Sequence, residues 1–171
     1  MSEPYLRPLP MKAPGTEPFW EAAAEHKLVI PKCQNCGDWN WIPYPGCRTC
    51  LSEDQVWTPA SGYGTLMTWS IVSRGPPGFP SPYVTALVEL DERPRSMVML
   101  GNIVDTPHED LKIGMRMQVV FEDIADEDIS IWRFKAALRW RASTRSSPGR
   151  STAIRKRSPS NIRTSSSAGA T

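Results

Sequence analysis

The sequence has no long apolar run and very little histidine. No stretch approaches the roughly 20 apolar residues of a membrane-spanning helix, and residues 1–12 contain no apolar run of signal-peptide length. We therefore expect a soluble, cytoplasmic protein with no membrane partner. The two histidines, His26 and His108, are far apart in the sequence, so we expect surface residues rather than metal ligands or catalytic bases.

Motifs that mark common catalytic and cofactor sites are also missing. Neither GxGxxG nor GxxxxGK[ST] occurs, and Gly62-Tyr63-Gly64 is too short for a phosphate-binding loop. The acidic cluster at residues 123–128 lacks calcium-loop spacing and is expected to be a solvated turn. No serine, cysteine or histidine stands in a recognisable nucleophile–base arrangement, so we predict no catalytic residues and no enzymatic activity.

Acidic residues are absent from the last part of the chain. All 18 lie within residues 1–138, which carry 12 basic residues and therefore a net charge of −6, whereas residues 139–171 carry eight basic residues. This last segment consists mainly of Ser, Arg, Thr and Gly, with few apolar side chains to bury. Such a segment cannot offset the entropy lost on ordering, so we predict that it is a disordered tail.

Cysteine is scarce but is arranged in two pairs. Cys33 and Cys36 form one CxxC pair, Cys47 and Cys50 form the other, and ten residues separate the pairs. Two such knuckles can supply the four tetrahedral thiolates that zinc prefers. Two disulfides, or one redox couple with two spare thiols, are the alternatives, but this spacing in a reducing compartment favours metal. We predict one structural zinc ion held by all four cysteines.

The residues that follow the two knuckles differ. Gly37 comes directly after the first pair and suits a left-handed backbone conformation. Leu51 holds the equivalent position after the second pair. The second turn must therefore differ from the first or tolerate some strain.

Alternating apolar residues predict a run of strands after residue 62. In the clearest case, Val84, Ala86, Val88 and Leu90 alternate with other residues, as in a strand with one buried face. The predicted strands cover residues 65–73, 83–90, 96–103, 115–122 and 130–137, with one helical turn at 107–111. Before the cysteines, the pattern predicts a helix over 17–26, capped by Thr16 and with Pro18 in its first turn, and a short strand over 27–31.

Five strands with a short helical element before the fourth predict a mainly β protein with an OB-fold barrel, because closure removes exposed sheet edges. An open antiparallel sheet is the alternative. The predicted domains are an extended lead-in (1–16), a helix with a rubredoxin-like zinc ribbon (17–60), the barrel (61–138) and the disordered tail (139–171). Seven tryptophans are many for this length, and an exposed subset would mark a binding face.

Four groups of residues occur in a characteristic order: Phe19-Trp20-Glu21, the two CxxC pairs with Gly37, Pro43 and Pro45, then Ser61-Gly62-Tyr63-Gly64-Thr65, and Leu111-Lys112-Ile113-Gly114-Met115. This ordered combination resembles the zinc-ribbon OB-fold proteins associated with acyl-CoA metabolism, formerly a domain of unknown function. The similarity covers roughly residues 15–138.

The resemblance implies an accessory subunit that binds acyl-CoA or a thiolase-like, hydratase or aldolase partner while the partner performs the chemistry. The aromatic residues Phe19, Trp20, Trp39 and Trp41 lie where the barrel core needs them least, so we place the partner contact on the helix and ribbon and the acyl-CoA beside the barrel. The alternative is a single-stranded nucleic-acid-binding OB-fold protein. The charge of −6 on residues 1–138 disfavours it, and the basic tail favours it weakly.

Overall fold

A computed structural model describes residues 5–124 and 127–137 of the chain. The predicted tail, residues 139–171, lies outside the described residues, as does Asp126 of the acidic cluster. The elements are α1 Glu17–Ala24, β1 Val29–Cys33, β2 Gln55–Pro59, β3 Tyr63–Val72, β4 Tyr83–Leu90, β5 Val98–Ile103, a 3₁₀ turn His108–Asp110, β6 Arg116–Asp123 and β7 Ser130–Ala136. Among these residues, no helix is long and apolar enough to cross a membrane.

Strands β3 to β7 form a closed five-stranded barrel in the order β3-β4-β5-β7-β6, and β3 also pairs with β6. All neighbouring strands are antiparallel except β5 and β7, which meet in a short parallel pairing at Ile103 and Phe134. The 3₁₀ turn lies between β5 and β6. The predicted OB-fold barrel is therefore confirmed, and the open sheet is not formed.

The barrel core is built from the alternating residues that the sequence indicated. On β4 the even-numbered positions from Val84 to Leu90 are all buried, and Leu87 between them is exposed. Leu66, Met99, Met117 and Phe134 are also almost fully buried. Period-2 alternation succeeds here because each strand of a small closed barrel has one face on the core and one on solvent.

Two glycines allow close approach inside this barrel. A Cβ on Gly64 would lie 2.5 Å from the Glu89 carbonyl oxygen, and a Cβ on Gly101 would lie 2.7 Å from the Phe134 ring. A side chain at Gly64 would therefore displace the Glu89 backbone, and one at Gly101 would displace the Phe134 ring. This close approach explains why Gly62-Tyr63-Gly64 ends in a glycine, and no phosphate-binding role is needed to account for it.

The ribbon contains a strand that the sequence analysis missed. Strand β2 pairs antiparallel with β1 from Val29↔Pro59 to Cys33↔Gln55. Strand β1 itself begins and ends two residues later than the strand predicted over 27–31. Residues 56–58, Val-Trp-Thr, do have strand-forming side chains. The segment was too short and too near the prolines and acidic residues around it to stand out.

Helix α1 begins where predicted but is capped differently. Pro18 lies in the first turn, as expected, yet the Thr16 side chain makes no capping hydrogen bond. Its hydroxyl instead donates to the Ala13 carbonyl (2.6 Å) and accepts from Trp20 Nε1 (3.2 Å). The prediction of a Thr16 side-chain cap is therefore wrong. The helix also ends two residues early, because His26 has a positive φ of 59°.

The described part of the lead-in, residues 5–16, has no regular secondary structure but contacts the barrel at defined points. Arg7 donates to the carboxylate of Glu122 on β6 at 2.9 Å, and Lys12 donates to the main-chain oxygen of Asp128 at 2.8 Å. Leu6 lies so close to Gly78, in the proline-rich loop between β3 and β4, that a Cβ there would come within 2.8 Å. The lead-in thus covers one side of the barrel.

Candidate functional site

The four cysteines converge at one end of the β1–β2 ribbon. Their sulfur atoms all lie within 4.8 Å of one another, with 3.6 Å between Cys33 and Cys50 and 3.6 Å between Cys36 and Cys47. Zn–S bonds of about 2.3 Å in a tetrahedron place the sulfurs about 3.8 Å apart. The separations are far too long for disulfides. The donor set and its size therefore fit a single tetrahedral metal ion.

The two knuckles have the same backbone geometry. Gly37 N donates to the Cys33 carbonyl at 2.9 Å, and Leu51 N donates to the Cys47 carbonyl at the same distance. Gly37 has φ 73° and Leu51 has φ 63°, so both residues are left-handed. Of the two predicted alternatives, a different turn or a strained one, the second is therefore observed: Leu51 adopts the left-handed conformation that disfavours a residue with a side chain. Its side chain is 82% exposed, so it gains little burial in return.

Hydrogen bonds to sulfur favour thiolates in the second knuckle. The main-chain N–H groups of Cys50 and Thr49 lower the pKa of Cys47 to about 6. The Asn35 amide, 3.4 Å from Cys50 Sγ, is the main cause of a lowered pKa for Cys50. Buried Asn40 donates to Cys47 Sγ and accepts from the Arg48 N–H, which fixes the turn. The sequence analysis missed both asparagines, because polar residues beside a knuckle carry no pattern of their own.

One arginine connects both knuckles to the barrel. Arg93, in the β4–β5 loop, lies 2.8 Å from the Asp38 carboxylate and 3.5 Å from the Thr49 hydroxyl. Asp38 follows the first knuckle, and Thr49 lies within the second. This bridge restrains the orientation of the metal-binding turns relative to the barrel.

An apolar groove of about 280 Å³ lies where helix, ribbon and barrel meet. We call it the aromatic groove. Its walls are Trp20 of α1, Trp41 of the ribbon and Trp132 of β7, around the ring of Phe19. At its rim, Met11 is 92% exposed, and Ile42 and Leu100 are each 61% exposed. The lining side chains carry no charge.

The groove contains three of the four aromatics predicted for the partner contact, namely Phe19, Trp20 and Trp41. Phe19 is 3% exposed and packs against Trp20 at 5.1 Å between ring centroids, so it supports the surface rather than presenting itself. Trp39 does not line the groove and instead lies under the ammonium of Lys32, 5.1 Å from the ring centroid. Trp132 and Leu100 also line the groove, although neither was named among the predicted contact residues. These residues are far apart in the sequence, so no local sequence pattern indicates that they line the same groove.

A serine, an aspartate and a histidine lie together at the end of β6 but not in a catalytic order. Asp123 Oδ1 accepts from Ser130 Oγ at 2.6 Å and contacts His26 Nε2 at 2.8 Å. The carboxylate therefore lies between the hydroxyl and the imidazole, whereas a nucleophilic serine needs the imidazole as its direct neighbour. His26 also stacks on Phe121, with centroids 5.8 Å apart. This chain of hydrogen bonds connects the α1–β1 turn to the barrel.

This arrangement predicts an acid-dependent contribution to stability. The Ser130 hydroxyl, and secondarily His26, lower the pKa of Asp123 from its ordinary value of 3.8. A carboxylate with a lowered folded-state pKa stabilises the fold above its unfolded pKa and loses this contribution as the pH falls through the folded value. Asp123→Asn should therefore have a lower free energy of unfolding than the parent at pH 7. The difference between the two free energies should disappear below pH 3.8. Urea unfolding across that range measures this, with Asp128→Asn in the same turn as control; a constant gap would contradict it.

A ribbon carrying four clustered thiols ahead of an OB-fold barrel defines a class of two-part, metal-binding proteins. Sequence models of two domains match the chain: the rubredoxin-like zinc ribbon domain of ChsH2 at residues 20–55, and the C-terminal OB-fold domain of ChsH2 at residues 57–122. A DUF35 domain-containing scaffold protein of Pyrococcus furiosus is 34% identical over 113 residues, which are 64% of this chain and 80% of that protein. The chain belongs to the DUF35 family of zinc-ribbon OB-fold proteins.

Other relatives are parts of enzymes. A probable enoyl-CoA hydratase alpha subunit of Thermomonospora curvata is 32% identical over 134 residues, 78% of this chain, which spans 41% of that relative's length. The benzoylsuccinyl-CoA thiolase subunit BbsA of Geobacter metallireducens is 27% identical, over 61% of this chain and 70% of that one. The solved structure of an Ltp2-ChsH2(DUF35) aldolase contains a similar chain, with a TM-score of 0.68 and 29% sequence identity. The match covers 76% of this chain and 100% of that one.

Proposed function

We propose that this protein is a non-catalytic accessory subunit that binds an acyl-CoA and a thiolase-like, hydratase or aldolase enzyme. The observation that carries the proposal is the aromatic groove, where three tryptophans are flanked by exposed Met11, Ile42 and Leu100. Apolar side chains exposed together in this way mark interaction surfaces. Tryptophan in a pocket is the residue type that most often dominates binding energy at protein interfaces.

The relatives support an accessory role rather than an independent activity. Those of similar length are named scaffold proteins, and others are named as subunits of CoA-ester hydratases and thiolases. In the described residues, the Ser130–Asp123–His26 chain has the wrong order for nucleophilic catalysis. The partner enzyme would therefore supply the reacting groups, and this chain would hold the partner and its substrate together.

The ribbon would support this surface through a structural zinc ion. We propose that Cys33, Cys36, Cys47 and Cys50 bind one zinc per chain, because their sulfurs already lie within 4.8 Å of one another. Four thiolates fill the coordination sphere, so the metal supplies folding energy and leaves no position for a reacting water. Trp41 lies between the two knuckles in the sequence, which places one wall of the aromatic groove on the metal-binding segment.

Single-stranded nucleic-acid binding fits the described residues less well. It requires a positively charged groove with stacking aromatics. The aromatic groove has no charged lining, and Arg93 and Arg116 are paired with Asp38 and Asp91. This alternative would rest on the basic residues at 139–171, which lie outside the described part of the chain.

Trp20→Ala should weaken binding to the partner by about 30-fold, which corresponds to roughly 2 kcal/mol for a central aromatic anchor. The zinc content should stay at one per chain, because Trp20 contacts Phe19 and Trp132 rather than the knuckles. Co-purification from the native host identifies the partner, and titration of purified components measures the affinity.

Trp39→Ala is the matched control, since this tryptophan also lies in the helix–ribbon segment but outside the groove. Its partner affinity should match the parent's. If Trp20→Ala lowers the melting temperature and leaves affinity unchanged, the aromatics merely cover the ribbon. Recovery of the parent as a lone monomer that binds no acyl-CoA would reject the proposed function.

A further inference from the structure

A second cleft, of about 390 Å³, lies on the barrel between the lead-in, the proline-rich loop and strands β4, β5 and β7. We call it the arginine cleft. Among its lining residues are two arginines, a carboxylate, an amide and two aromatic rings: Arg7, Arg133, Glu122, Asn102, Phe79 and Tyr83. Its mixture of polar and aromatic walls contrasts with the uncharged aromatic groove. Its volume is within the range of small-molecule sites.

The charges in this cleft do not balance. Arg133 is 7% exposed; its Nε donates to Glu122 at 2.8 Å and its Nη1 to Asn102 Oδ1 at 3.3 Å. Arg7 Nη2 donates to the other Glu122 oxygen at 2.9 Å. Glu122 is the one carboxylate among the described lining residues, so two guanidinium groups share a single negative charge. A surplus positive charge that is partly shielded from water is suited to an incoming anion.

The two guanidinium groups also keep donors available for that anion. Each guanidinium carries five N–H groups in a planar fork that matches phosphate oxygens. Among the described residues, the hydrogen bonds engage Nη2 of Arg7 and Nε and Nη1 of Arg133, which leaves Nη2 of Arg133 and Nε and Nη1 of Arg7. The shared Glu122 orients both groups without consuming these donors.

Aromatic rings form the adjoining wall. Phe79 and Tyr83 lie 5.3 Å apart between ring centroids, and the Arg7 guanidinium lies 5.9 Å from the Phe79 centroid. Planar bases stack readily on such rings. A phosphate beside the arginines with a flat base against the aromatic wall would use both features of the cleft at once.

We infer that the arginine cleft binds the phosphorylated nucleotide end of an acyl-CoA, an inference that rests on the proposed function. The acyl end would then extend away from the cleft toward the partner enzyme. An ion pair that serves only the barrel would account for Arg133 and Glu122. It would not account for a second arginine, contributed by the lead-in, on the same carboxylate.

Calorimetric titration of the full chain with coenzyme A, adenosine 3′,5′-bisphosphate, pantetheine and inorganic phosphate tests this inference. Coenzyme A and the bisphosphate should bind and compete, and pantetheine should not displace the bisphosphate. Arg7→Gln should weaken the binding of coenzyme A and of the bisphosphate by about tenfold each, the loss expected for a charge-assisted hydrogen bond to phosphate. Phe79→Ala should weaken them as well, without removing any charge.

Arg116→Gln is a closely matched control. Arg116 is also paired with a carboxylate, that of Asp91, and also lies near an aromatic ring, that of Tyr63, but it does not line the cleft. Its affinity for coenzyme A should equal the parent's. Circular dichroism should show that all three variants keep the parent's fold, because Arg7 and Phe79 lie in loops and the Arg116 side chain is 35% exposed.

Each other outcome overturns the inference in a distinguishable way. If coenzyme A binds and neither Arg7→Gln nor Phe79→Ala changes its affinity, the ligand lies elsewhere and the proposed function stands. If inorganic phosphate competes as well as the bisphosphate, the cleft is an anion site without nucleotide recognition. If the parent binds neither coenzyme A nor the bisphosphate, the inference fails together with acyl-CoA binding, and partner co-purification alone decides the remaining role.

Discussion

Cys47→Ser should abolish zinc binding and unfold the ribbon while most of the barrel remains folded. Cys47 is fully buried, and its sulfur lies 3.6 Å from that of Cys36, so no other side chain can take its position. Structural zinc contributes about 10–16 kcal/mol in small zinc-finger peptides, which exceeds what a two-stranded ribbon can obtain from packing. Elemental analysis should fall from one zinc per chain to none, and near-ultraviolet circular dichroism should lose the contribution of the ribbon tryptophans.

The barrel should survive this change because its core is separate from the cysteines. Leu66, Met99, Met117 and Phe134 are almost fully buried within β3 to β7. Ser52→Ala is the control, since this residue follows the second knuckle and contributes no metal ligand. A purified parent that contains no zinc and has its thiols paired as disulfides would refute the metal assignment. Complete unfolding of Cys47→Ser would instead show that the barrel depends on the ribbon.

Phe134→Ala should lower the free energy of unfolding by about 3–5 kcal/mol, the cost of removing a buried aromatic ring and leaving a cavity. Phe134 is 1% exposed and lies on β7 directly beside Gly101 of β5. Its main chain also takes part in the parallel β5–β7 pairing that closes the barrel. Denaturant unfolding, followed by far-ultraviolet circular dichroism, measures the loss.

Leu100→Ala is the matched control for Phe134→Ala. Leu100 is the neighbour of Gly101 on the same strand, but its side chain is 61% exposed. Its removal should change the free energy of unfolding by no more than about 0.5 kcal/mol. A loss below about 1 kcal/mol for Phe134→Ala would mean that the barrel repacks around the missing ring, contrary to the dense packing of natural cores.

Features with short-range signals were predictable. The cysteine cluster was visible because each CxxC pair places two sulfurs within one turn, and the structure brings all four together. The five barrel strands were visible because apolar residues alternate along them. The strand over 83–90 has its predicted bounds, and the ends of the other four lie within two residues of the predicted ones. The β2 strand was missed because its partner, β1, lies more than twenty residues earlier, and pairing rather than pattern defines it.

Side chains from distant segments could not be assembled in the same way. The Arg93 bridge joins the β4–β5 loop to both knuckles, although nothing near Arg93 in the sequence indicates a partner. The same holds for Asn40, a buried polar residue that hydrogen-bonds Cys47. Phe19 and Trp20 are neighbours in the sequence, yet Phe19 is buried beneath the groove and Trp20 forms one of its walls. A helix turns by about 100° per residue, so packing alone decides which of them faces outward.

The sequence by itself determined which four cysteines cluster, the strand pattern and the family, because these depend on spacing and alternation within short segments. Only the tertiary structure decided the two candidate binding surfaces. The aromatic groove joins Trp20, Trp41 and Trp132, and the arginine cleft joins Arg7 with Arg133. These residues are brought together by barrel closure and by the docking of the lead-in and ribbon. Such contacts arise from the burial of the whole core, so no local pattern of residues encodes them.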